Sequence, residues 1–318
     1  MKKVIALVLT FILLMSVMVF AEGENDVLLI SQNPVAEFKD MPNDWSTDAL
    51  KAAVKNGLLT GSNGYIKAGD NMTRAEMATI MVRACAATDT ADISAFTDVK
   101  ESDWYFDSMS KAVAMGAFSG SGNKLNPENP ITRQEAFLVL TRVFGLNSGK
   151  INTRTLNSFK DANKISDWAK EGVASIVSSG YVAGSDGYIN PLNNISRAEF
   201  AVVMDRLIKY YIDDFSDDIP EDGNMMIRIP ATKLEGLKTD KMVVLGDGMG
   251  NAEITLNDNT LTGKLVVRGG KNVKLYGGSY EDIAVVKAGI SLDASSTKAG
   301  SVYGVKGSKI NLPRLGGN

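Results

Sequence analysis

Apolar positions recur along this chain in two rhythms. Counting from Arg74, Arg133 and Arg197, positions +6, +7 and +10 are apolar or small each time: Ile80, Met81, Ala84; Val139, Leu140, Val143; Val203, Met204, Leu207. That spacing predicts the buried stripe of an amphipathic helix. Each stripe follows a helix-start signal: Thr73-Arg74-Ala75-Glu76, Thr132-Arg133-Gln134-Glu135 and Ser196-Arg197-Ala198-Glu199. In such a capping box the hydroxyl accepts from a backbone N–H and the glutamate reaches back to the cap residue. An earlier helix is predicted from Trp45 to about Asn56, and likewise from Trp104 and Trp168, with Leu50 and Val54, or Val173 and Val177, on one face. Gly57, Gly116 and Gly180, 12 residues after each Trp, are placed to take the left-handed conformation that closes a helix.

The second rhythm begins beyond Asn224. Val244, Val267, Val286 and Val305 each lie in a short apolar run, and a second run follows each: Ile254 and Leu256, Val273 and Leu275, Ile290 and Leu292, Ile310 and Leu312. Glycines punctuate the corners, among them Gly269, Gly270, Gly277, Gly278 and Gly289. Strands returning about every 20 residues predict the rungs of a small parallel β-solenoid. A compact β-sandwich is the alternative, since hairpins use such glycines too.

The helical part is an internal repeat, and a repeat takes precedence in reading a fold. Glycine falls 16 residues after each Trp (Gly61, Gly120, Gly184) and arginine 29 after it, at Arg74, Arg133 and Arg197. Before each Trp stands a triplet: Phe38-Lys39-Asp40, Phe96-Thr97-Asp98 and Phe159-Lys160-Asp161. Turn-rich loops join the two helices, as at Gly61-Ser62-Asn63-Gly64 and Asn126-Pro127. Together the Phe-x-Asp triplet, the Trp, the Gly-x-x-x-Gly pair and the Thr-Arg-Ala-Glu box resemble the S-layer homology domain, in three copies from about Phe38 to Tyr211. The resemblance implies an all-α, pseudo-threefold assembly, with one helix of each repeat in a central bundle and three prongs separated by grooves. Departures are few: Gln134 replaces the usual Ala, Ser196 replaces Thr, and Ala68 stands where the other copies have Pro127 and Pro191. The tail resembles solenoid-like segments that follow such repeats in other surface proteins.

Charge and composition narrow the functions open to this chain. Lys2 and Lys3 precede the apolar run Val4 to Phe20, which reads as a secretory signal ending near Ala21. A run of this length also suits an uncleaved membrane anchor, but Glu22-Gly23-Glu24-Asn25-Asp26 looks like a mature N-terminus. Losing Lys2 and Lys3 takes the formal charge from −3 to −5, which argues against nucleic acid as a partner. There is no histidine, so Ser-His-Asp hydrolysis and His-ligated zinc are excluded. The single cysteine, Cys85, forms no intramolecular disulfide and reads as a small core residue. Asp213, Asp214, Asp217, Asp218, Glu221 and Asp222 surround Pro220 without the ordered spacing of a calcium loop, so a solvated linker is expected.

The expected organisation is a signal peptide over 1–21, an extension over 22–37, repeats over 38–95, 96–158 and 159–212, an acidic linker over 213–224 and a separate β domain over 225–318 that does not bind the wall. The resemblance implies a secreted cell-surface protein, held without covalent bonds by an acidic, commonly pyruvylated, secondary cell-wall polysaccharide. The capping box does not itself require the arginines. Free N–H groups and the dipole of a helix N-terminus attract anions, so Arg74, Arg133 and Arg197 either complete an anion site or pair with a nearby aspartate. Asp40, Asp98 and Asp161 either accept sugar hydroxyls or orient the arginines. Trp45, Trp104 and Trp168 either stack on a sugar or plug the core at the helix start. No catalytic residue, metal or cofactor is expected. Two other readings remain: binding of modified peptidoglycan beneath an outer membrane, and a wall-anchored polysaccharide-active enzyme using a carboxylate pair in the tail, although no pair stands out.

Overall fold

A computed structural model describes residues 38–215, 219–230 and 233–313. The expected signal and extension, and Asp217 and Asp218 of the acidic stretch, lie outside the described residues. Each repeat forms two α-helices: α1 (Thr47–Lys55) and α2 (Arg74–Cys85), α3 (Phe106–Ala114) and α4 (Arg133–Val143), α5 (Lys170–Ser178) and α6 (Arg197–Leu207). The first helix of each pair starts two residues beyond its Trp, and the glycine past its end takes positive φ: 69° at Gly57, 71° at Gly116 and 77° at Gly180. Only glycine adopts that backbone without strain. The predicted stripes of α2, α4 and α6 are buried throughout. An all-α description is too simple, because short 3-10 turns and isolated antiparallel bridges are built into the repeats. Three of these bridges close within a loop, at Ser62 and Tyr65, Ser121 and Lys124, and Ser185 and Tyr188, and the other three arise because the segments before the second helices pair with one another.

That pairing closes the three repeats into a ring. The backbone N–H of Met72 donates to Ile195 O, that of Ile195 to Ile131 O, and that of Ile131 to Met72 O. The helices follow the same cyclic order, with α1 packing on α6, α3 on α2 and α5 on α4. A lone helical hairpin has no partner for its apolar stripe, and three arranged around an axis supply one another with partners.

The tail is a parallel β-solenoid, and every strand pairing in it is parallel, which removes the sandwich alternative built from hairpins. Its strands are β1 (Tyr210–Ile212), β2 (Met225–Ile227), β3 (Lys233–Glu235), β4 (Lys238–Thr239), β5 (Val243–Leu245), β6 (Glu253–Asn257), β7 (Thr260–Val267), β8 (Asn272–Val285), β9 (Ser291–Gly304) and β10 (Lys309–Asn311). Register runs from Val243 to Leu265, Leu265 to Ile283 and Ile283 to Val302. The two runs expected per turn are continuous in β8, which passes its corner at Gly277 and Gly278 without a break. Both have positive φ, and a Cβ at Gly278 would lie 1.9 Å from Asn259 O, so this close approach requires glycine.

Helices and solenoid meet along a continuous seam. Strand alternation sends Met225, Ile227, Val243, Leu245, Leu265 and Val267 into the solenoid core, and Met226, Val244 and Val266 into the helical core. These strands read as unbroken apolar runs because both faces are covered. Polar groups of the tail cap the helix ends. Arg268 donates to Val143 O at 2.9 Å and Met115 O at 3.0 Å, at the C-termini of α4 and α3. Arg228 reaches Asn56 O and Arg83 O, both at 3.4 Å, beside the ends of α1 and α2. Asn224 donates to Leu207 O at the end of α6. Helix C-termini leave carbonyls unsatisfied and favour positive charge, and the two guanidinium groups supply both needs. Asp247 and Asp213 neutralise Arg268 and Arg228 respectively. The expected linker is thus structured where it is described: besides the Asp213 pair, Asp222 accepts from the Tyr210 hydroxyl.

Candidate functional site

The second helices begin as the sequence predicts. Thr73 Oγ1 accepts from Glu76 N at 3.1 Å while Glu76 Oε2 accepts from Thr73 N at 2.8 Å. Ser196 and Glu199 repeat this exchange, and Glu135 Oε2 accepts from both the N–H and the hydroxyl of Thr132. The other oxygen of each glutamate turns to a neighbouring repeat. Arg74 Nη1 donates to Glu135 at 3.2 Å, Arg133 to Glu199 at 2.7 Å, and Arg197 to Glu76 at 3.1 Å, a second closed ring. The Nε groups of these arginines donate to Leu125 O, Ile189 O and Ile66 O. Their side chains are only 10–14% exposed.

The three aspartates support the same loops. Asp40 accepts from the N–H groups of Ile66 and Lys67, Asp98 from Leu125 and Asn126, and Asp161 from Ile189 and Asn190. Each aspartate thereby grips the residue whose carbonyl receives an arginine Nε. Desolvation opposes ionisation of Asp40, but the two backbone N–H donors outweigh it and hold its carboxyl below the usual range. The arginines therefore have a glutamate of the neighbouring repeat as ion-pair partner, where sequence reasoning named an aspartate.

The expectation of free amides at the second helices' N-termini is corrected by the ring. The N–H groups of Arg74 and Ala75 donate to Asn129 O and Pro127 O, those of Arg133 and Gln134 to Asn193 O and Pro191 O, and those of Arg197 and Ala198 to Asp70 O and Ala68 O. With the capping side chains, these bonds use the amides that an anion would otherwise bind.

The tryptophans do not plug the core. Trp45 and Trp104 are 66% exposed and Trp168 is 56% exposed. Core positions at the helix starts are taken by other residues, such as Tyr105, which Trp104 touches edge-on at 5.3 Å. Trp168 lines a groove of about 630 Å3, together with Arg74 of the first repeat and, from the second, the Phe118–Ser121 loop, Asn126, Glu135, Leu138 and Arg142. All three repeats thus contribute to one groove.

Sequence reasoning missed Arg142 and its counterparts. Arg83, Arg142 and Arg206 each fall 9 residues after the box arginine, a regularity as strict as those that were used. Arg83 donates to Leu58 O and Arg206 to Tyr181 O, whereas the Arg142 side chain makes no hydrogen bond or ion pair among the described residues.

Comparison with known proteins bears on the repeats. The model of the S-layer homology domain matches residues 37–78, 95–137 and 158–201. The chain carries three tandem S-layer homology domains. The surface-layer 125 kDa protein of Lysinibacillus sphaericus is 32% identical over 171 residues, 52% of this chain and 14% of that protein. The S-layer protein sap of Bacillus anthracis is 26% identical over 176 residues, 55% of this chain and 21% of its own. An amylopullulanase of Thermoanaerobacterium thermosulfurigenes is 28% identical over 175 residues, 54% of this chain and 9% of its own. The chain thus spans no more than about a fifth of the length of these relatives. An undecaheme cytochrome from the S-layer of Carboxydothermus ferrireducens overlaps 43% of this chain and 17% of its own, at 20% identity and a TM-score of 0.26, a likeness too weak to argue from. Among the described residues no helix is long and apolar enough to cross a membrane, and no group of three or more carboxylates or thiols is placed to hold a metal ion.

Proposed function

We propose that the S-layer homology repeats hold this protein at the bacterial cell surface by binding, without covalent bonds, an acidic secondary cell-wall polysaccharide. The observation that carries this reading is the exposure of Trp45, Trp104 and Trp168 at three equivalent positions. A single exposed apolar ring is ordinary, but the same ring exposed at all three equivalent positions is a repeated feature, and a flat ring beside polar groups suits the face of a sugar. The groove beside Trp168 combines such a ring with guanidinium groups and loop amides, a lining suited to a carboxylate-bearing glycan such as a pyruvate ketal. Arg74 and Arg133, with two nitrogens each already hydrogen-bonded, and Arg197, with three, offer their remaining edges, while Asp40, Asp98 and Asp161 hold the loops in place. Grooves acting together give firm attachment by avidity.

The repeats serve as an anchoring module. The amylopullulanase shares with this chain a stretch the length of the three repeats, which speaks for a common anchor rather than a common reaction. The test is sedimentation of the mature chain with purified walls, before and after extraction of the secondary polymer. We expect binding that extraction abolishes, and a Trp45→Ala/Trp104→Ala/Trp168→Ala variant that stays folded and remains in the supernatant. Undiminished binding by that variant would refute the role of the rings. Binding that survives extraction would point to peptidoglycan itself.

A further inference from the structure

The three repeats place equivalent residues around the axis, but these positions are not chemically equal. The arginine of the last helical turn provides the clearest difference. Arg83 is tied to Leu58 O at 3.3 Å and Arg206 to Tyr181 O at 3.3 Å. The corresponding carbonyl for Arg142 is that of Ala117, and no such bond forms. Arg142 instead lines the groove whose other walls are Arg74, Trp168 and the Ser119–Ser121 loop. Burial alone depresses its pKa, and no carboxylate compensates it.

The neighbouring positions strengthen the contrast. Asn126 and Asn129, both neutral, line this groove. Their counterparts in the first repeat are Lys67 and Asp70, a cation and an acid in place of two neutral amides. The Arg197 guanidinium beside that loop is also more fully used, since it donates to Ile66 O, Glu76 and Thr60 O. An exposed guanidinium without a protein partner, lining a cavity of about 630 Å3, is free to gain a charge-assisted bond there.

We infer that Arg142, rather than the box arginines, receives the carboxylate of the wall glycan, and that the groove between Arg74, Arg142 and Trp168 is the principal site of the three. This rests on the anchoring reading above. Arg142 is a binding residue at which the glycan anion replaces solvent, and the Arg74–Glu135 pair lines the same groove, with Glu135 two turns earlier on α4. The grooves carrying Arg83 and Arg206 contribute weaker contacts, because their arginines must first give up a carbonyl.

The experiment compares Arg142→Ala, Arg142→Lys, Arg83→Ala and Arg206→Ala in the mature chain, using purified walls that carry their secondary polymer. Circular dichroism checks that each variant is folded. Arg142→Ala is expected to lose about tenfold or more in apparent affinity, the loss of one charge-assisted hydrogen bond. Arg142→Lys should recover part of that loss, and the other two variants should stay within about twofold of wild type. Wild-type affinity in Arg142→Ala, or equal losses in all three alanine variants, would overturn the inference while leaving the anchoring reading standing. Failure of the wild type to sediment with those walls would remove both. Should Arg142→Ala fail to fold, the Arg142→Lys variant and the two alanine controls decide. Losses in the controls that exceed the lysine variant's loss would also overturn it.

Discussion

Replacing Arg268 with Met tests the seam between helices and solenoid. Arg268 is 1% exposed, and its charge is matched by Asp247, itself 2% exposed, at 2.7 Å. The substitution keeps most of the apolar stem but leaves Asp247 without its main partner, and breaking such a buried pair costs about 3–5 kcal/mol. Lys287, 3.1 Å from the other oxygen of Asp247, softens that loss. Against this relief, Val143 O and Met115 O lose their donor, at about 1 kcal/mol or more each. We expect a net destabilisation of about 3–5 kcal/mol in urea unfolding. The helical circular-dichroism signal is the appropriate probe, because among the described residues every α-helix lies in the repeats while the substitution lies in the tail. Arg154→Met, at an exposed position, serves as the control and should change stability by no more than about 0.5 kcal/mol. A loss below about 1 kcal/mol for Arg268→Met would mean that water satisfies these groups, and the account of the seam as a dry, cation-capped interface would be wrong.

Two further outcomes follow from single residues. The Asp40 carboxyl is held below its ordinary value of 3.8, so its contribution is present above the unfolded pKa and lost as pH falls through the lower folded one. Asp40→Asn should therefore melt below wild type at neutral pH and converge with it in strong acid, as differential scanning calorimetry across pH will show. Burial pushes the Cys85 thiol up to about 12, so the native chain should not react with a disulfide reagent at neutral pH, and one equivalent should react after denaturation.

Much of this architecture was legible along the chain because it depends on local chemistry. Capping boxes, closing glycines and the apolar stripes each act within a few residues, and all of them stand where the spacing put them. What was not legible depends on which repeat lies beside which. Nothing local tells Arg74 that its partner is Glu135, or that Pro127 O takes the amide of Ala75. The tryptophans were ambiguous for a related reason, since an aromatic at a helix start looks the same whether a neighbour covers it or not. Two signals were present and went unread. The arginine 9 residues into each second helix repeats as faithfully as the glycines do. The unbroken run Met242-Val243-Val244 lacks the alternation of a one-faced sheet, which already says that something packs on the outside of the solenoid.

The backbone triangle of Met72, Ile131 and Ile195 distinguishes the two kinds of repetition in this chain. Each amide in it is answered by a carbonyl of another repeat, so the series returns to its start and admits no fourth member. Removing one repeat strands a donor and an acceptor in the interior, and inserting one opens the circuit. The solenoid is under no such arithmetic, because each rung asks only for the one before it. Change in length by whole units is therefore open to the tail and closed to the anchor.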